Sequence, residues 1–100
     1  MKNLTAIELK DFISSLSLIE FFSEECYACF LAESFLVELE KAYENKCKIA
    51  KLNVIEHKQI ISVYNINKLP TFVLFNNFKE LNRGVGFRKS DIEKMIRFYI

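Results

Sequence analysis

An apolar run that leads directly into a pair of cysteines is the feature that most constrains how this chain can fold. Residues 18–22 read Leu-Ile-Glu-Phe-Phe, a pattern typical of a buried strand, and Cys26-Tyr27-Ala28-Cys29 follows at the start of a long amphipathic segment. N–H groups in the first turn of a helix favour a thiolate over a thiol, and a two-residue spacer lets both sulfurs meet across one turn. The position of the pair therefore predicts that Cys26 and Cys29 are reactive.

Length and composition indicate one domain over residues 1–100. The chain has 100 residues, of which 51% are hydrophobic and ten are phenylalanine. A chain of this size buries roughly 60 to 65% of the surface that its unfolded form exposes, which is enough to fold without disulfide bonds. The cysteines are therefore free to carry out chemistry.

Charge and hydropathy argue against two classes of partner. Fourteen Lys and Arg residues against thirteen Asp and Glu give a net charge of +1, without a basic run that would bind a phosphate backbone. Residues 1–8 become acidic where a signal peptide would be apolar, and no segment approaches the roughly 20 apolar residues of a membrane span. We therefore expect a cytoplasmic protein with no nucleic-acid or membrane partner. Because cytosolic thiols are kept reduced, three cysteines argue against a structural disulfide framework.

Apolar periodicity along the chain predicts an α/β fold. The order strand, helix, strand between residues 18 and 54 predicts two parallel neighbouring strands, and the turn at Asn76-Asn77 predicts an antiparallel hairpin. The predicted elements are a helix over 6–15 with a Thr5–Glu8 capping box, a strand over 18–23, a helix from Cys29 to Tyr43, a strand over 47–54, a helix over 57–64, a hairpin over 71–85, and a last helix capped by Ser90 and Glu93.

This order of motifs resembles the thioredoxin family over nearly the whole chain. Besides the Cys-x-x-Cys pair, three later segments match in register: Lys51-Leu52-Asn53, Leu69-Pro70-Thr71 and Val85-Gly86. The resemblance implies a thioredoxin fold, in which a central mixed β-sheet is flanked by helices. It also implies a thiol–disulfide oxidoreductase that reduces protein disulfides.

The resemblance assigns a role to each cysteine of the pair. Cys26 would be the attacking thiolate and Cys29 the resolving thiol, so that the two form a redox-active disulfide. No bound cofactor would be needed, because electrons would come from a separate flavoprotein reductase with NADPH. We expect a monomer that acts on disulfide-containing protein substrates.

Two other interpretations of the cysteines compete with this one. The pair could be half of a zinc site, but a closed site needs about four ligands, and only Cys47 and His57 remain to complete it. Both are placed away from residue 26 by the strand order. The cysteines could also be inert core thiols.

Glu20 is a carboxylate in the middle of an apolar strand. Burial without a partner would raise the pKa of Glu20, because burial disfavours the charged form. The resemblance implies that Glu20 relays a proton to or from Cys29, with Lys51 on the neighbouring strand as its partner. The alternative is an exposed Glu–Lys pair at the sheet edge, worth under roughly 1 kcal/mol.

The proline loop and the surface around the cysteines form the implied substrate groove. Pro70 is the only proline, and the resemblance implies a cis Leu69–Pro70 bond, although X–Pro bonds are trans by default. An ordinary trans turn is the alternative. The backbone of residue 69 would pair with an extended substrate. The implied substrate-binding residues are Tyr27, Ala28, Leu69, Pro70, Gly86 and Phe87.

Several residues depart from the family's pattern around the cysteines. Tyr27-Ala28 stands where Gly-Pro is typical, Glu25 where tryptophan is, and Phe30 where a basic residue is common. The negative charge of the preceding glutamates disfavours the Cys26 thiolate, so we expect a reductant and not a strong oxidant. The rival function is a thioredoxin-fold binding module, in which the groove docks a partner and the dithiol is incidental.

Overall fold

The computed structural model describes residues 1–100 and contains nine helices and strands in total. Every predicted element is present, and one two-residue strand at the N-terminus was not predicted. The elements are β1 (Lys2–Asn3), α1 (Ala6–Phe12), β2 (Ser17–Phe22), α2 (Tyr27–Ala42), β3 (Lys48–Asn53), α3 (Gln59–Val63), β4 (Thr71–Asn76), β5 (Lys79–Val85) and α4 (Lys89–Tyr99).

The five strands form one mixed sheet in the order β1-β3-β2-β4-β5. Strands β1 and β2 both run parallel to β3, and β4 runs antiparallel to β2 and β5. The predicted parallel pair and the predicted hairpin are therefore confirmed. All six residues of the central strand β2 are buried, because helices cover both faces of the sheet.

Alternation along β2 divides the interior into two cores. Ile19 and Phe21 point to the core that includes Leu9 of α1 and Ile60 of α3. Leu18 points to the opposite core, which is built from α2 and α4. By the same alternation, Glu20 faces α2 and α4, so that the one acidic residue of β2 lies on the side of the helix that begins at the cysteines.

Local sequence signals predict the start of α1 correctly but not the start of α4. The capping box of α1 is confirmed, because the Glu8 N–H donates to Thr5 Oγ1 at 3.1 Å and the Thr5 N–H donates to Glu8 Oε1 at 2.9 Å. The predicted cap of α4 is wrong: this helix follows Arg88 and makes no side-chain capping bond, so Ser90 lies inside it. Packing of its apolar face, which includes the buried Ile92, fixes α4 on the sheet. None of the four helices combines the length and the apolar character that a membrane span requires.

The β4–β5 turn contains two residues with left-handed backbone. Asn77 and Phe78 have φ angles of 51° and 66°. Asparagine tolerates this region, but a residue such as phenylalanine loses about 1–2 kcal/mol there. The turn is held by the end of α1, because the Asn77 N–H donates to Ser14 O at 3.1 Å and the Phe78 N–H to Ile13 O at 3.0 Å.

Replacing the strained turn residue should stabilise the protein. Phe78→Gly is expected to raise the free energy of unfolding by about 1 kcal/mol, because glycine adopts a positive φ without the Cβ clash. The Phe78 side chain is 63% exposed, so its removal sacrifices little packing. Urea unfolding measures the effect, with Asn77→Gly as a control that should change stability less. A destabilised Phe78→Gly protein would contradict the role of backbone strain.

Candidate active site

The two cysteines lie at the N-terminus of α2 and are joined by a disulfide bond. Cys26 is the N-cap residue, and its Sγ accepts a hydrogen bond from the Cys29 N–H at 3.1 Å. Cys26 is partly exposed, whereas Cys29 is only 4% exposed. A partner molecule can therefore reach the Cys26 sulfur, while Cys29 lies behind it.

A cleft of about 220 Å³ borders the disulfide. The cleft brings together the end of β2, the first turns of α2 and the side chain of one β3 residue, Lys51. Its lining residues are Phe22, Ser23, Glu24, Cys26, Cys29, Phe30, Glu33 and Lys51. Two of the side chains, Glu33 and Lys51, carry opposite charges beside the sulfurs.

Glu20 is buried on the α2 side of the sheet. It is 1% exposed, and its neighbours in register are Lys51 of β3 and Phe72 of β4. Its Oε2 atom has no hydrogen-bond partner. Loss of hydration and, after it, the nearby Glu33 carboxylate raise the pKa of Glu20, and the Lys51 ammonium lowers it. The net result is a pKa of about 8. The interpretation of Glu20 as part of an exposed edge pair is therefore wrong.

The hydrogen bonds of Lys51 go to Glu33 and not to Glu20. Lys51 Nζ lies 3.0 Å from Glu33 Oε1 and 3.1 Å from Oε2, and 4.9 Å from the centre of the Phe22 ring. Sequence reasoning placed Lys51 beside Glu20 correctly but missed Glu33. The helical spacing could have identified Glu33 as a site residue, because Glu33 follows Cys29 by four residues and so shares its face of α2.

The proline loop reaches the same end of the sheet as the cysteines. Because β4 runs antiparallel to β2, the start of β4 lies beside the end of β2, which leads to Cys26. The Leu69–Pro70 bond is cis, as the sequence predicted. The Gly86 N–H, on a residue with φ of 83°, donates to Pro70 O at 2.8 Å. The Thr71 hydroxyl donates to Lys68 O at 2.6 Å. Hydrogen bonds therefore fix the loop both before and at Pro70.

The remaining residues of the predicted groove differ in exposure. Tyr27 is 72% exposed and its ring stacks on that of Phe30, with centroids 6.4 Å apart. Leu69 is half-buried, and no hydrogen bond within the chain involves its backbone N–H or C=O. Phe87 packs on the ring of Phe35 at 5.7 Å, so much of Phe87 belongs to the core.

Cys47 and His57, the two residues that could complete a zinc site with the cysteine pair, do not line this cleft. Cys47 is 4% exposed and directly precedes β3, and burial raises the pKa of its thiol to about 11. The predicted strand begins at residue 47, whereas β3 begins one residue later. No group of three or more His, Cys, Asp or Glu residues is arranged to hold a metal ion.

Comparison with known proteins identifies the family. A family model described as Thioredoxin matches residues 2–98. The chain belongs to the thioredoxin family. A thioredoxin of Buchnera aphidicola is 38% identical over 72 residues, which are 72% of this chain and 67% of that protein. A thioredoxin of Chlamydia caviae is 34% identical over 92 residues, which are 91% of this chain and 89% of that protein.

Solved thioredoxin structures share the whole fold. Plasmodium falciparum thioredoxin superposes with a TM-score of 0.93 at 28% identity, covering 100% of both chains. Its oxidised form in solution superposes with a TM-score of 0.90 at 27% identity, covering 99% of this chain and 97% of that one. The predicted thioredoxin fold is confirmed. With the Cys26–Cys29 pair, these likenesses make the chain a thiol–disulfide oxidoreductase, and the binding-module alternative is not favoured.

The buried carboxylate predicts a pH-dependent stability. The native pKa of Glu20, about 8, lies above its ordinary value of 4.5, so the native state holds a proton that the unfolded chain has lost between these pH values. The free energy of unfolding should therefore fall by ~1.4 kcal/mol per pH unit across this window from this group. Glu20→Gln should remove this slope, leaving the variant close to wild type at pH 4 and more stable at pH 9.

Urea unfolding of the oxidised protein at a series of pH values measures this slope. Glu38→Gln is the matched control, because Glu38 is an exposed carboxylate on α2 and its loss should leave the slope in place. Parallel pH curves for wild type and Glu20→Gln would show that Glu20 does not titrate as described.

Proposed function

We propose that the protein reduces protein disulfides with Cys26 as nucleophile and Cys29 as resolving thiol. The observation that carries this proposal is the Cys26–Cys29 pair at the start of α2, with Cys26 partly exposed and Cys29 buried behind it. Residues 1–100 act as a single thioredoxin-like domain in this proposal. Glu25 adds a negative charge beside Cys26, and Phe30 stands where a basic residue is common. Neither residue stabilises the Cys26 thiolate, in keeping with a reductant.

The reaction transfers two electrons from the dithiol to the substrate. The Cys26 thiolate attacks one substrate sulfur, forms a mixed disulfide and releases the other substrate sulfur as a thiolate. The Cys29 thiol then loses its proton and attacks Cys26 Sγ. This step forms the Cys26–Cys29 disulfide, breaks the mixed disulfide and releases the second substrate thiolate, so the substrate is reduced and the protein oxidised.

Glu20 is the general acid and base for Cys29 in this proposal, with Lys51 as its moderator. A group with a pKa of about 8 is protonated in part at neutral pH, so it can give up a proton or take one. Glu20 does not line the cleft, and Lys51 does. The proton would therefore pass between Glu20 and Cys29 on the side of the sheet that α2 covers, and not through the cleft.

The substrate would lie across Tyr27, Ala28 and the proline loop. The unpaired N–H and C=O groups of Leu69 support this placement, because an extended substrate segment can hydrogen-bond to both. Pro70 and Gly86 hold the loop through their hydrogen bond, and Tyr27 offers an exposed ring. Phe87 contributes only its uncovered edge, since it packs on Phe35.

Membership of the thioredoxin family gives the protein two kinds of partner, disulfide-containing proteins and a reductase. We propose that the reductase is a flavoprotein that uses NADPH, and that the protein is a cytoplasmic monomer that carries electrons and maintains redox homeostasis. The net charge of +1, without a basic run, supports the absence of a nucleic-acid partner.

Trapping the mixed disulfide tests the roles of the two cysteines. The Cys29→Ser protein should form a stable covalent adduct with a disulfide-containing protein such as insulin, because the resolving thiol is absent. The Cys26→Ser protein is the control and should form little adduct, since Cys29 is buried. Non-reducing electrophoresis with mass spectrometry identifies the linked sulfur, and an adduct on Cys29 or Cys47 would contradict the assignment.

The pH dependence of exchange tests the role of Glu20. In Glu20→Gln, disulfide reduction should slow about 10-fold or more near pH 7, and its dependence on pH between 6 and 9 should flatten, because the proton acceptor for Cys29 is gone. Stopped-flow rates of insulin reduction by the pre-reduced protein measure this effect. Unchanged rates over that range would remove the relay role.

A further inference from the structure

The charged groups that face Glu20 are one lysine and one further carboxylate. Lys51 on β3 is its neighbour in register, and Glu33 on α2 is the charged residue that this helix brings to it. On β4 its neighbour is the uncharged Phe72. The part of α4 that packs into this core is also uncharged and consists of Ile92, Met95 and Ile96. Two carboxylates therefore lie near a single ammonium group.

Glu33, the less buried carboxylate, holds the ammonium group. Both of its oxygens lie within 3.1 Å of Lys51 Nζ, whereas Glu20 Oε2 has no hydrogen-bond partner. The Glu33 side chain is 44% exposed, so water still hydrates Glu33 while it binds Lys51. Glu20 is almost wholly buried and has no such hydration. The salt bridge thus leaves Glu20 buried and without a directly bonded cation.

We propose that Glu33 is a positioning residue of the active site: by binding Lys51 it keeps the buried Glu20 protonated at neutral pH. This inference rests on the proposed relay between Glu20 and Cys29. The effects of the two neighbours on the pKa of Glu20 agree with the geometry, since Glu33 raises this pKa and Lys51 lowers it.

The protonated form of Glu20 matters when the protein is reduced again. A thiolate of the reductase attacks Cys26 Sγ and forms a mixed disulfide, from which a second reductase thiol later releases Cys26. The attack breaks the Cys26–Cys29 bond, and Cys29 leaves as a thiolate. That thiolate lies in a buried position, where its charge is unfavourable. Glu20 then gives its proton to Cys29 Sγ, and when the protein reduces a substrate the same proton returns from Cys29 to Glu20.

Direct titration of Glu20 tests the proposal without turnover. The carboxyl carbon of Glu20 is followed by carbon-13 NMR from pH 4 to 10 in the oxidised protein. In Glu33→Gln the Glu20 midpoint should fall by about one pH unit, because a negative neighbour is lost and Lys51 is freed. Glu38→Gln removes the same charge from an exposed site on α2 and should leave the midpoint unchanged.

A second variant separates this electrostatic role from a structural one. Lys51→Met should raise the Glu20 midpoint, opposite in sign to Glu33→Gln, because it removes the only cation. A general loosening of the site would admit water to Glu20 in both variants and lower both midpoints. Opposite shifts therefore support the proposal, and two shifts of the same sign overturn it.

Rates of insulin reduction in the Glu20→Gln background connect the titration to the reaction. Glu33→Gln should shift the pH profile of the rate in the otherwise wild-type protein and leave it unchanged when Glu20 is also replaced. A shift in both backgrounds would mean that Glu33 acts on the cysteines directly, which overturns the proposal. An unchanged Glu20 midpoint in Glu33→Gln overturns it whatever the rates do. If instead Glu20→Gln alone leaves exchange unchanged, the relay itself fails, and the role of Glu33 in the reaction fails with it.

Discussion

Burial of β2 on both faces is the constraint on which the other features of this protein depend. Because every β2 side chain is enclosed, alternation sends Ile19 and Phe21 into one core and Leu18 into the other. Glu20 is enclosed with them and is only 1% exposed. The same packing that stabilises the sheet therefore fixes an acid beneath the helix that begins at the cysteines.

The directions of the strands bring the segments of the site together at one end of the sheet. Strand β2 ends where β4 begins and β5 ends, so the turn before α2, the Leu69–Pro70 loop and Gly86 meet there. The parallel strand β3 adds Lys51 beside Glu20. Residues far apart in the chain thus form one site through hydrogen bonds between strands, which hold the partners in a fixed register.

The Lys51 ammonium group lies near two carboxylates, Glu20 and Glu33, and it binds only one of them. In a buried environment an ion pair is strongest for a carboxylate that can keep part of its hydration, because full desolvation of both ions offsets their attraction. Glu33 meets this condition and Glu20 does not, so the ammonium of Lys51 is bound by the outer carboxylate. In the proposed relay, the inner carboxylate carries a proton beside the Cys26–Cys29 pair, so that proton transfer accompanies each thiol–disulfide step.

The sequence by itself determined the elements whose signals are local. Periodicity located the central strands and the helices, the Thr5–Glu8 box located the start of α1, and the spacing of Cys26, Cys29 and Pro70 indicated the family. Only the tertiary structure decided the two-residue strand β1, the start of α4, the left-handed Phe78 and the Lys51–Glu33 salt bridge. Each of these depends on contacts between separate segments: β1 on its pairing with β3, α4 on the sheet, the turn on α1, and Glu33 on a lysine 18 residues away. Local propensities carry no information about which distant group will lie nearby, and in a buried site that group decides where a charge resides.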